Sequence, residues 1–156
     1  MLGRDKPGLE DSQFDVVMSS QMLEHLHPDD VRKHLAQVRR VLRAGGTYIF
    51  DTPNRLMGPH DVSKHFDKIA TGFHLKEWTF RELVPILGEC GFRRLRGQML
   101  HIRLQRKAHG VAKYGMWPIA FKEAEEYMVS LMPRRLGMAA GKALAVGNML
   151  VSAQRA

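Results

Sequence analysis

Several things are scarce in this 156-residue chain. It holds a single cysteine, Cys90. No internal disulfide can form, and a reducing cytoplasm is the expected compartment. Cys90 reads as a buried, inert thiol. No stretch approaches the roughly 18–20 apolar residues that crossing a bilayer takes, which argues against a membrane role. The opening MLGRDKPGLEDS has no apolar core of the kind a secretory signal needs. No G-x-G-x-G occurs anywhere, so no glycine-rich turn is on hand to bring backbone close to a ligand. Acids are nearly absent after residue 90: residues 91–156 hold half of the 24 basic residues but only three of the 16 acids. The net charge of +8 therefore comes from the C-terminal part. Such an imbalance can serve an anionic partner, or be a solvated basic face. Arg93, Arg94, Arg96, Arg103, Arg106 and Lys107 lack the interleaved aromatics that stack on bases, so nucleic acid is not an expected partner.

What is present suits a soluble globular domain, with 44% hydrophobic and 26% charged residues. Phe14-Asp15-Val16-Val17-Met18 is short, apolar and Val-rich, as a buried strand should be. His27-Pro28-Asp29-Asp30 reads as a helix entry, with Pro at the first helical position and acids at the positive end of the dipole. Val31, Leu35, Val38 and Leu42 recur at helical spacing, and Gly45-Gly46 should end that helix. Thr47–Thr52 is β-branched and aromatic, a second strand stopped by Pro53. Strand, helix, strand predicts a βαβ unit with parallel strands. Residues 54–78 form a long polar stretch, which is usually functional or disordered. Thr79-Phe80-Arg81-Glu82 is a capping box that opens another helix, with a bend expected at Pro85 and an end at Gly91. Residues 92–105 should hold two strands broken near Gly97-Gln98. Residues 119–132 and 136–153 read as helices. The expected division is an α/β unit over 1–110 and a helical extension over 111–156.

In an open parallel sheet, ligands bind beyond the carboxyl ends of the strands. Two such ends are legible here: Ser19-Ser20-Gln21, running on to Glu24-His25, and Asp51-Thr52-Pro53-Asn54. The long stretch with His60, Asp61, His65 and His74 leaves the same edge and could act as a lid. Each residue also has a plainer reading. The serines could satisfy backbone groups, His25 could be structural, and His27 could cap the helix. His25-x-His27 invites a metal reading. However, the order Glu24-His25-Leu26-His27 is not the helical H-E-x-x-H pattern, and no later strand end offers a matching ligand set. No metal is expected.

The segment LEDSQFDVVMSSQMLEHL, the helix ending VRRVLRAGG, TYIFDTPNR, and GPHDVSKHFD…ATGFHLKEWTFREL…GF together resemble class I S-adenosylmethionine-dependent methyltransferases of the small-molecule type. The resemblance covers about residues 9–97. It implies a partial Rossmann-like sheet, with strands four to seven of the family's seven and extra C-terminal helices. It also implies that the family's glycine-rich turn and ribose-holding acid lie outside this chain. S-adenosylmethionine is the implied cofactor and a small molecule the implied methyl acceptor. By the same resemblance, Ser19, Ser20 and Gln21 would lie along the donor's methionine part. His25 would be a base or substrate contact, and Asn54, His60 and Asp61 would face the acceptor. The fourth strand, normally paired with the first, would leave an open edge for self-association or for a complementing chain. The alternative is a non-catalytic half-domain that acts as an oligomerisation or interaction module.

Overall fold

The computed structural model describes residues 8–98 and 116–156. Strand β1 (Phe14–Ser20) leads through a single 3-10 turn, Leu23–His25, into helix α1 (Pro28–Val41) and strand β2 (Leu42–Pro53). Two further 3-10 turns, Arg55–Met57 and Val62–His65, precede helix α2 (Phe80–Glu89) and strand β3 (Phe92–Gln98). The C-terminal part adds strand β4 (Met116–Pro118), helices α3 (Ile119–Leu131) and α4 (Arg134–Ala143), and strand β5 (Asn148–Arg155). The sheet order is β1-β2-β5-β3-β4. β1 and β2 are parallel neighbours, as the βαβ pattern requires, with Val16 opposite Thr47 and Ser20 opposite Asp51. β5 runs antiparallel between β2 and β3.

The helix starts follow their local chemistry. Pro28 opens α1, and the His27 ring accepts from the Asp29 amide at 3.4 Å. At α2 both halves of the Thr79–Glu82 capping box are made. One face of the sheet is packed. Tyr48, Phe50, Phe92, Met149, Val151 and Ala153 meet Val31, Leu35 and Val38 of α1 and Leu83 and Leu87 of α2. Each large side chain so buried stabilises the fold by about 1.5–3 kcal/mol before ordering costs. The other face is open at β1, where Val16 is 50% and Met18 73% exposed. β1 ends the strand order, so its outer edge has no partner among the described residues.

The sequence-based expectations need three corrections. The helix expected over 136–153 stops at Ala143, and Asn148–Arg155 is a strand. Small residues around Ala139–Gly147 blurred the period, but Met149, Val151 and Ala153 alternate inward at period two. The C-terminal part is therefore no helical extension. It supplies β4 and the strand that joins β2 to β3, while the boundary drawn near residue 110 lies outside the described residues. Of the two strands expected over 92–105, Phe92–Gln98 is one; residues 99–105 lie outside the described residues. Helix α1 yields to β2 at Leu42, before the glycine pair. Gly45, at φ +76°, instead serves an irregularity where Phe14–Val16 spans Leu42–Thr47. Helix α2 runs through Pro85 to Glu89, with Cys90 as its C-cap just before Gly91.

Candidate functional site

The carboxyl ends of β1 and β2 lie side by side, as the parallel register demands. At φ +48°, Gln21 turns the chain off β1, and its amide donates to the Asp51 carbonyl at 3.0 Å. Its side-chain Nε2 donates to Asp51 Oδ2 at 2.6 Å and to Asn148 Oδ1 at 3.3 Å. Gln21, Asp51 and Asn148 thus form a polar lip over the ends of β1 and β2 and the start of β5. Ser20 is exposed beside this lip. Ser19 faces the opposite way, as strand alternation requires. Its hydroxyl lies 2.5 Å from the Tyr48 hydroxyl, which is 3.3 Å from His34 Nε2 on α1. Burial pushes the Tyr48 phenol up to about 12, against a smaller pull downward from the Ser19 hydrogen bond. Burial also lowers His34. Ser19 therefore braces the strand end from the helix side.

Glu24 follows the lip and is fully buried. Its Oε2 accepts from Thr52 Oγ1 at 2.8 Å, tying the two strand ends together. Its Oε1 has no hydrogen-bond partner among the described residues. Its carbonyl accepts from the amides of Leu75 and Lys76, and Trp78 Nε1 donates to the Leu23 carbonyl at 3.4 Å. The long 54–78 stretch is thus laced to the end of β1 and is not a free flap. His25 is exposed, and its Nδ1 stands 3.0 Å from the Phe73 carbonyl.

Three of the four expected catalytic positions carry structural bonds. Asn54 is fully buried. It donates to Glu126 Oε1 at 2.6 Å and accepts from the Leu56 amide at 2.9 Å. Its side-chain amide is therefore committed to Glu126 and to the turn at Leu56. Asp61 is a staple: Oδ1 accepts from the Ser63 amide, and Oδ2 from those of Gly72, Phe73 and His74. Burial alone would raise its carboxyl, but these amide bonds outweigh burial and hold it at about 2. The His60 amide and ring Nδ1 both engage the Glu77 carboxylate, at 2.6 and 3.2 Å. His74 Nδ1 meets the other side of Glu77 at 2.9 Å. Burial opposes the Glu77 charge, yet the His60 and His74 bonds prevail and keep its carboxyl below the usual range.

Glu77 and Glu126 were not singled out from the sequence. Glu126 accepts from the Phe80 and Arg81 amides at 2.9 and 3.1 Å, so α3 caps the start of α2. No local pattern signals that pairing, because it spans more than forty residues. The His74-to-Glu77 spacing of three was visible, but its partner His60 was not predictable from it.

Residues 3–50 match the family model described as "Methyltransferase domain". Over 84 residues the chain is 36% identical to a protein of Mycolicibacterium smegmatis named a probable S-adenosylmethionine-dependent methyltransferase, covering 54% of this chain and 30% of that protein. Among solved structures, an Archaeoglobus fulgidus S-adenosylmethionine-dependent methyltransferase aligns with a TM-score of 0.54 at 19% identity, over 94% of this chain and 62% of that one. A Haloferax volcanii complex of a methyltransferase activator with a methyltransferase aligns at 0.55 and 12%, over 94% and 56%. The fold is Rossmann-like, as in the methyltransferase structures it aligns with, and residues 3–50 carry the match to the methyltransferase-domain model. The chain's match spans about a third of the curated relative's length.

Proposed function

We propose that this chain forms one wall of a methyl-transfer pocket, with S-adenosylmethionine as donor and a small molecule as acceptor. One observation carries this reading: the end of β1, in parallel register with β2, presents Ser20 and Gln21 beside Asp51 and Asn148. Ser20 and Gln21 lie along the methionine part of the donor, and Ser19 holds their strand from behind. In the transfer, the acceptor's lone pair forms the new bond to the methyl carbon. The carbon–sulfur bond breaks with its electrons left on sulfur, giving S-adenosylhomocysteine. The electrophile is already activated, so alignment supplies much of the catalysis. An acceptor bearing a proton needs a base. His25 is the candidate base; in support, its Nδ1–H is taken by the Phe73 carbonyl, which puts the ring's lone pair on Nε2. Asn54, His60 and Asp61 act as positioning residues, which fix the 54–78 segment against the strand ends.

The open β1 edge and the exposed Val16 and Met18 support a second element of the reading: the donor pocket is completed by further polypeptide packed there. Calorimetry with S-adenosylhomocysteine tests this. The 156-residue chain alone should bind more weakly than micromolar, since it has no glycine-rich turn. Adding the part of the M. smegmatis relative that lies outside its match to this chain should tighten binding at least about tenfold. Micromolar binding by the lone chain would refute the need for completion. The non-catalytic reading, a module that pairs through the same edge, predicts self-association with no gain in donor binding; light scattering alongside the calorimetry separates the two.

A further inference from the structure

We infer that Glu24, His25 and His74 form a binding site for a single divalent transition-metal ion of the zinc class. From the sequence no metal was expected, because no later strand end offered a ligand set to match His25-x-His27. The structure leaves His27 out of the cluster and brings in His74, 49 residues from His25. One ligand atom from each of Glu24, His25 and His74 lies within 4.8 Å of the others. A tetrahedral ion about 2.0–2.1 Å from each would draw them to roughly 3.4 Å apart. That is a modest closure, and His25 is exposed and free to make it.

Proximity of His and Glu is common, so the hydrogen bonds around the cluster matter more. A metal-ligating histidine typically donates its other ring nitrogen to a carbonyl or carboxylate, which fixes the tautomer and aims the lone pair. Both histidines are held this way. His25 Nδ1 is bonded to the Phe73 carbonyl at 3.0 Å, and His74 Nδ1 to Glu77 Oε1 at 2.9 Å. Each bond places the proton on Nδ1 and leaves the Nε2 lone pair open. Glu77 is itself fixed by His60, so the His74 ring is braced from a third residue.

Glu24 adds an independent observation. Its carboxylate is fully buried, and only Oε2 is satisfied, by Thr52. Oε1 has no partner among the described residues. A buried carboxylate oxygen left so costs free energy unless a donor or cation meets it. Two imidazoles with one carboxylate form a set suited to a borderline ion such as Zn²⁺, whereas Mg²⁺ and Ca²⁺ prefer all-oxygen shells. Three protein ligands leave a fourth position open, the arrangement of a catalytic rather than a structural site. The site overlaps the methyl-transfer reading at His25, but its test uses neither donor nor acceptor, so the two can fail separately. What the two share is His25 Nε2, which serves the ion when one is bound.

The test is calorimetric titration of ZnCl₂ into the chelator-treated 156-residue chain, with the visible spectrum of the Co²⁺ form read in parallel. The expected result is one ion per chain and the absorption bands of a four-coordinate Co²⁺ centre. His25→Ala and His74→Ala should each weaken binding by more than about tenfold. Glu77→Gln, which removes an outer partner, should cost about 10- to 100-fold. His65→Ala, at an exposed histidine outside the cluster, should change nothing. If His74→Ala loses its far-UV signal, His25→Ala decides, because that ring is exposed. No zinc binding by the parent chain, or equal binding by parent, His25→Ala and His65→Ala, would overturn the proposal.

Discussion

Replacing Glu126 by alanine probes how the strand ends are held. The carboxylate is buried and accepts three hydrogen bonds: from Asn54 Nδ2 at 2.6 Å, the Phe80 amide at 2.9 Å and the Arg81 amide at 3.1 Å. Alanine removes both acceptor oxygens and leaves the three donors behind. The Asn54 amide and the Phe80 N–H are buried, and each unmet donor costs about 1–3 kcal/mol. The Arg81 N–H is closer to water and adds less. The positive end of α2 also loses a facing negative charge, about 0.3–1 kcal/mol. Together these give a loss of about 3–5 kcal/mol, at the upper end for a single substitution. In a chain of this size each kcal/mol moves Tm by roughly 2–4 °C, so Tm should fall by about 10 °C. Urea unfolding followed by far-UV circular dichroism measures it, with an unchanged slope against denaturant as the check that stability alone has changed. The comparison is Glu123→Ala on the same helix, which should stay within about 0.5 kcal/mol. A loss below about 1 kcal/mol for Glu126→Ala would refute the view that α3 anchors Asn54 and the start of α2.

Other predictions concern neighbouring groups. The Asp61 carboxyl is depressed in the folded state, so its stabilisation is complete above the ordinary aspartate value near 4 and is lost as pH falls through about 2. Amide hydrogen exchange at Gly72, Phe73 and His74 should therefore quicken over that acid range, and Asp61→Ala should quicken it at neutral pH as well. Tyr48→Phe removes the hydroxyl that meets Ser19 and His34; it should cost about 1 kcal/mol in urea unfolding. It should also abolish the phenol that titrates near pH 12 by ultraviolet absorbance. Met18→Lys places a charge on the exposed face of β1. It should leave the isolated chain folded by circular dichroism, and it should block the gain in donor binding from a complementing chain.

Much of the N-terminal half was legible because its signals are local. The Pro28 helix entry, the Val31–Val38 stripe and the Thr79–Glu82 box each lie within a few residues, and each formed as read. β5 was missed because Ala145, Gly147 and their neighbours suit a helix as well as a strand; what makes Asn148–Arg155 a strand is the pair of open ladders on β2 and β3. The same divide runs through the site. Ser20, Gln21 and Asp51 were placed by strand order alone, and they meet. The inward commitments of Asn54 to Glu126 and of His60 to Glu77 are tertiary bonds, which residue type and spacing do not reveal. His74 joined Glu24 and His25 only through the path of the 54–78 segment.

The most direct test of the central claim is chemical-shift mapping of the nitrogen-15-labelled chain during titration with S-adenosylhomocysteine, a measurement that detects weak binding residue by residue. The account predicts the largest shifts at the amides of Ser20, Gln21 and Asp51, with the α4 amides unmoved. Shifts confined to other elements, or none at saturating ligand, would contradict it.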